Sequence, residues 1–138
     1  MVTEAKKILV VHSLHEIRDR IASQLEKKGY HVTVAANGLD GLFAGYYEKF
    51  ALIISAMNLP KITGFEMVRT LQTHSSNNGA PTIFIGTGHE GAEIVAISAK
   101  LNAIIMPLDA INNSISKVDE SATFDDLLSW VRIDSRPQ

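Results

Sequence analysis

Three histidines carry most of the chemistry open to this chain. His12, His15 and His89 each stand just past an apolar run, with Glu16 and Glu90 close by. Imidazole and carboxylate together suit Zn2+, so one reading of the cluster is a metal site. The other is that His12 closes a strand end while His15 and His89 are solvated loop residues. A phosphohistidine at His12 lacks the flanking helical pattern that phosphotransfer needs. The chain contains no cysteine, which removes disulfides, thiol catalysis and thiolate metal sites from consideration.

Short apolar runs alternate with segments of helical period, the pattern of βαβ units around a parallel sheet. Strands are predicted at Lys7 to Val11, Val32 to Ala35, Ala51 to Ala56, Thr82 to Gly86 and Ala103 to Met106. Between them, helices are predicted from His15 to Lys28, Leu39 to Lys49, Gly64 to Thr73 and Glu90 to Leu101. Ile17, Ile21 and Leu25 share one face of the first helix, and Gly29 is its stop signal. Residues 108 to 122 are polar and weakly periodic, longer than an ordinary connection, and read as an atypical surface loop. A last helix is predicted from Thr123, which has Asp126 at capping-box spacing; it carries Phe124, Leu127, Leu128 and Val131. Five strands alternating with five helices predict a doubly wound α/β fold, whose ligand site lies at the carboxyl ends of the strands.

At 138 residues the chain suits one domain, 1–138, with its core at about 6–132. A charged content of 20% and a net charge of −2, with no Lys/Arg cluster larger than a pair, argue against nucleic-acid binding by this domain. No apolar run approaches membrane-spanning length and no signal-peptide pattern is present. The expectation is a cytoplasmic protein.

The stretch from Ile53 to Gly64 (IISAMNLPKITG) runs a strand into a Pro-x-x-x-Gly loop. With Glu16-Ile17-Arg18, Gly29-Tyr30, Gly38, Pro81 and Pro107 in matching order, it resembles the receiver domains of bacterial response regulators. The resemblance covers about Lys6 to Val131. It implies the flavodoxin-like sheet order 2-1-3-4-5 and a cis bond between Met106 and Pro107. It also implies five functional positions. In receiver domains an acidic pair after the first strand holds a divalent cation through oxygen ligands; here His12 and Ser13 stand there. The phosphoacceptor aspartate lies four residues before the proline and eight before the glycine, and both counts land on Ala56. The hydroxyl residue closing the fourth strand is Gly86, the phosphate-neutralising lysine is Met106, and the aromatic switch is Ala103. The Asn58 carbonyl, matching a metal-ligand position, loses its partners.

A methyl group cannot act as a nucleophile. Ser55 cannot replace it, because alternate strand residues face opposite sides; Thr87 could bring its hydroxyl near only by a slip at the strand end. Loss of the clustered carboxylates also removes their mutual repulsion. The chain is therefore expected to be a pseudo-receiver held in one state: not an enzyme, with no catalytic residue, no Mg2+ site and no other cofactor. The implied role is a phosphorylation-independent protein-interaction module in two-component signalling. The alternative is a ligand- or metal-sensing domain using the vacated cleft. The fourth helix is poor in charge, and receiver partners or second copies dock on the surface of helix 4, strand 5 and helix 5. That makes Ile94, Ile97, Lys100, Ala103 and Trp130 the interface candidates, for a protein partner or a homodimer.

Overall fold

The computed structural model describes residues 6–117. Five strands, β1 (Lys7–Val11), β2 (His31–Ala35), β3 (Leu52–Ala56), β4 (Thr82–Gly86) and β5 (Ala103–Pro107), alternate with five helices, α1 (His15–Lys27), α2 (Gly38–Tyr47), α3 (Gly64–His74), α4 (Ala92–Lys100) and α5 (Leu108–Lys117). All strand pairs are parallel, in the order β2-β1-β3-β4-β5. This is the doubly wound, flavodoxin-like arrangement expected from the alternation.

Central strands of such a sheet are covered on both faces and so read as continuous apolar runs. Alternate residues feed two cores. Ile8, Val10, Ile54 and Ile83 pack with Ile21 and Leu25 of α1 and with Ile111 and Ile115 of α5. Leu9, Val11, Ile53 and Phe84 pack on the other face with Met67, Val68 and Leu71 of α3. At the edge, β2 is half exposed.

Local signals place the helix ends. Asn37 caps α2, its side chain accepting from the Asp40 N–H at 2.8 Å, and Thr63 caps α3 by accepting from Glu66 at 3.2 Å. Gly29 ends α1 with φ +95, a conformation glycine adopts without strain. On α2, Gly38, Gly41 and Gly45 are buried. A side chain at Gly38 would strike the backbone carbonyl of Ile62, whereas at Gly41 and Gly45 it would meet the tips of Met67 and Leu71. The absence of side chains is what lets α2 lie so close to α3.

Three expectations are corrected. Residues 108–117 are not a loop: α5 begins immediately after β5, because Ile111 and Ile115, 1% and 2% exposed, are spaced one helical turn apart and close the α1 side of the core. No cis peptide bond occurs among the described residues, so Met106–Pro107 is trans. And α4 starts at Ala92 rather than Glu90, because the Glu90 side chain bends back onto the preceding turn. The helix expected from Thr123, with Trp130, lies outside the described residues.

Candidate functional site

The carboxyl ends of β1, β3, β4 and β5 bring together His12, Ala56, Gly86 and Met106, the positions singled out in the sequence. Val11 pairs with Ser55, Ala56 with Ile85, and Ile85 with Met106 in register. Ala56 is 7% exposed and Met106 is 8% exposed. The methyl and the thioether chain are thus both largely withdrawn from solvent at the strand ends. Gly64 packs against the Ala56 carbonyl and donates its N–H to Met57 at 2.9 Å, which ties the β3–α3 loop down beside the strand end.

His12 is half-buried and its Nδ1 accepts the Leu14 N–H at 3.0 Å. Arg18 reaches back from α1 to the His12 carbonyl at 3.4 Å. Burial, and second the Arg18 charge, lower the imidazole pKa from its ordinary 6.5 and favour the neutral ring. The ring nitrogen facing the loop is therefore already committed to the backbone. Ser13 is exposed next to it.

His15 and His89 are exposed. Among the described residues, no three side chains of His, Asp or Glu come together in a way that could hold a metal ion. The donor set formed by His12, Ser13 and Ala56 contains no carboxylate, so it does not match the hard oxygen shell that Mg2+ requires.

Ser55 is fully buried and its hydroxyl donates to the Ala56 carbonyl at 2.8 Å. Thr87 is engaged as well. Its hydroxyl donates to Glu90 Oε2 at 2.8 Å and accepts the His89 N–H at 3.1 Å. A slip presenting that hydroxyl to the cleft would have to break both bonds. At Gly86, any side chain would collide with Ile105 and with the Glu90 carboxylate. Glu90 accepts from Thr87 N–H at 2.9 Å and Gly88 N–H at 3.0 Å, and these bonds, led by Thr87, hold its carboxyl below the usual range. The sequence places Glu90 in this region beside His89, but it does not reveal that Glu90 bonds the preceding turn or that Arg18 reaches the His12 carbonyl. Thr87 and Glu90 have the same three-residue spacing as Thr63 and Glu66, and that spacing was the available signal.

The interface candidates divide. Ile94, Ile97 and Lys100 line a groove of about 490 Å3 between α3 and α4, with Phe65, Arg69 and Leu101. The Phe65 ring leans on Phe84 with centroids 4.7 Å apart. Ala103 is 3% exposed and belongs to the core, so it offers no docking surface; its neighbours on β4 and under α4 enclose it. Trp130 lies outside the described residues.

No helix among the described residues is long and apolar enough to cross a membrane. Residues 8–106 match the response regulator receiver domain. The probable transcriptional regulator ycf29 of Pyropia yezoensis is 30% identical over 79 residues, covering 57% of this chain and 36% of its own length. Protein PilH of Pseudomonas aeruginosa is 28% identical over 81 residues, covering 59% of this chain and 67% of its own. Among solved structures, the chemotaxis response regulator CheY4 of Vibrio cholerae superposes with a TM-score of 0.70 at 24% identity, over 83% of this chain and 98% of that one. The chain thus spans about a third of the length of the first of these relatives and nearly the whole of the CheY4 fold. With the family match over most of the chain and the same five-stranded topology, this chain belongs to the response regulator receiver domain family.

Proposed function

We propose that this receiver domain works in two-component signalling as a phosphorylation-independent protein-interaction module. One observation carries the reading: the residue at the end of β3, where the resemblance expects a nucleophilic aspartate, is the largely buried Ala56. Phosphoryl transfer to a receiver makes a bond from a carboxylate oxygen to phosphorus, and a methyl group has no electron pair to offer. The surroundings agree. His12 and Ser13 supply no carboxylate for Mg2+, Met106 supplies no positive charge for a phosphate, and Gly86 supplies no hydroxyl. On this reading the domain requires no cofactor, and it acts by presenting a surface to a protein partner or a second copy rather than by catalysis.

A sensing role for the cleft has less support. Ala56 and Met106 are more than nine-tenths buried and His12 Nδ1 is already bonded to the loop, which leaves few polar groups to fix a ligand. The decisive experiment is incubation with acetyl phosphate and Mg2+, followed by intact-mass measurement. The expected spectrum contains only the unmodified mass. A hydroxylamine-labile phosphoryl adduct would overturn the proposal.

A further inference from the structure

We infer that Glu90 is a built-in anion that locks the turn between β4 and α4, and with it the start of α4, in a single position. The turn presents three donors on one side: the Thr87 N–H, the Thr87 hydroxyl and the Gly88 N–H. All three end on one carboxylate, at 2.9 and 2.8 Å to Oε2 and at 3.0 Å to Oε1. The Thr87 hydroxyl also accepts the His89 N–H at 3.1 Å, so Thr87 and Gly88 are tied to the carboxylate directly and His89 through Thr87. Hydrogen bonds to an ionised acceptor are about twice as strong as neutral ones. The lowered pKa of the Glu90 carboxyl, caused first by Thr87, agrees with that bonding.

Two glycines are part of the device. Gly88 has φ +90, a left-handed conformation that turns its N–H toward the carboxylate and that a side chain would strain. Gly86 has no room for a Cβ, which would lie 2.7 Å from Glu90 Oε1 as well as against Ile105. A Ser or Thr at position 86 would push the carboxylate out of the turn. Gly86 and Glu90 are therefore a coupled pair: the first is empty so that the second can fold back.

The clamp has a consequence for α4. The helix begins at Ala92, two residues after Glu90, and carries Ile94 and Ile97 to the wall of the groove against α3. Fixing the turn fixes where that wall stands. An anion tethered to the turn acts at a high effective concentration and outcompetes free anions for the same donors. The turn thereby stays in one position with no outside ligand. This deepens the single-state reading of the domain, but it rests on the geometry of the turn and not on Ala56.

The test is residue-resolved hydrogen exchange by NMR on the whole chain, comparing wild type with E90A, E90Q and G86S. In E90A and G86S the Thr87 and Gly88 amides should exchange about tenfold faster than in wild type, the effect expected for loss of a charge-assisted hydrogen bond. E90Q should fall between. The amides of β3 and β4 should be unchanged in E90A and E90Q; in G86S, whose new side chain also meets Ile105, only β3 serves as the unchanged reference. Equal exchange at Thr87 and Gly88 in wild type and E90A would overturn the inference. So would loss of protection across the whole sheet in E90A, since a local clamp acts on its turn alone. The mass measurement with acetyl phosphate tests the Ala56 reading independently, so each can fail without the other.

Discussion

The side-chain amide of Asn77 donates to the carbonyl of Gly45 at 2.6 Å, across 32 residues of chain. The same amide group donates to the Glu48 carbonyl at 2.9 Å, and its oxygen accepts the Phe50 N–H at 2.7 Å. Asn77 is 1% exposed, so one side chain satisfies three backbone groups at the end of α2 and the start of β3. N77A leaves those groups without partners, each costing about 1–3 kcal/mol when buried. Because the loop can relax toward water, we expect a total loss of about 2–4 kcal/mol, seen as a lower urea midpoint at unchanged m-value. N77D, which can accept from Phe50 but cannot donate to two carbonyls, should be no better.

Gly38 and Gly45 sit on the same helix and should respond differently to the same substitution. The added methyl meets the Ile62 backbone at Gly38 but the terminal methyls of Leu71 at Gly45. Backbone cannot rotate away, whereas a leucine tip can. Overpacking typically costs about 1–3 kcal/mol, and replacing a helical glycine by alanine returns up to ~1 kcal/mol. G38A is therefore expected at about 3 kcal/mol of destabilisation or more, and G45A within about 1 kcal/mol of wild type. Thermal or urea unfolding of the two variants checks the order.

His12 makes stability fall on the acid side. Burial first and the Arg18 charge second hold its folded pKa below the ordinary 6.5. Above about pH 6.5 neither folded nor unfolded chain binds the proton, and this residue has no effect on stability. As pH falls below that value the unfolded chain takes up a proton that the folded chain resists. Stability then drops until the pH passes the lowered folded value, where it levels off. H12N, whose side-chain oxygen can still accept from Leu14, should flatten this part of the curve. The comparison is urea midpoints at about pH 7.5 and 5.5 for the two proteins.

A phosphoryl mimic with Mg2+ should leave the melting temperature unchanged. A ligand at a hundredfold excess over its Kd stabilises the folded state by ~2.7 kcal/mol, which a domain of this size shows as a rise of roughly 9 °C. His12, Ser13 and Ala56 offer no carboxylate to assemble such a complex. Differential scanning calorimetry with and without beryllofluoride and Mg2+ makes the comparison, and a clear upward shift would contradict the proposed function.

The fold was largely legible because apolar runs and helical periods are strong signals when every central strand is buried on both faces. Ile8 to Val11 and Leu52 to Ile54 are continuous apolar stretches in the sequence and 0–1% exposed in the structure. The α5 helix was missed because its inward face consists of only Leu108, Ile111 and Ile115 among Asn, Ser and Asp, residues with poor intrinsic helix propensity. Tertiary contact with α1 decides that segment, and local composition does not reveal it. At the site, Ala56 could be placed by counting back from Pro60 and Gly64 and Met106 from Pro107, with the pattern itself supplied by the family resemblance. The bonds from Glu90 and Asn77 could not, because a polar residue in a polar loop looks solvated until the fold shows which backbone groups need it. Ala103 was offered because the resemblance puts docking on helix 4, strand 5 and helix 5; its burial at 3% exposed follows from packing in the core, which a family pattern does not reveal.

The close seating of α2 on α3 also shapes the outer surface. With Gly38, Gly41 and Gly45 occupying the inner side, the aromatic residues of the helix are left on the far side, where Phe43, Tyr46 and Tyr47 are 51%, 45% and 85% exposed. Phe43, Tyr46 and Tyr47 stand at i, i+3 and i+4, so they form one exposed aromatic patch on the outside of α2. Y47S, at the most exposed of the three, changes the water-facing side of α2 without touching its glycine face, so it separates the two surfaces of one helix.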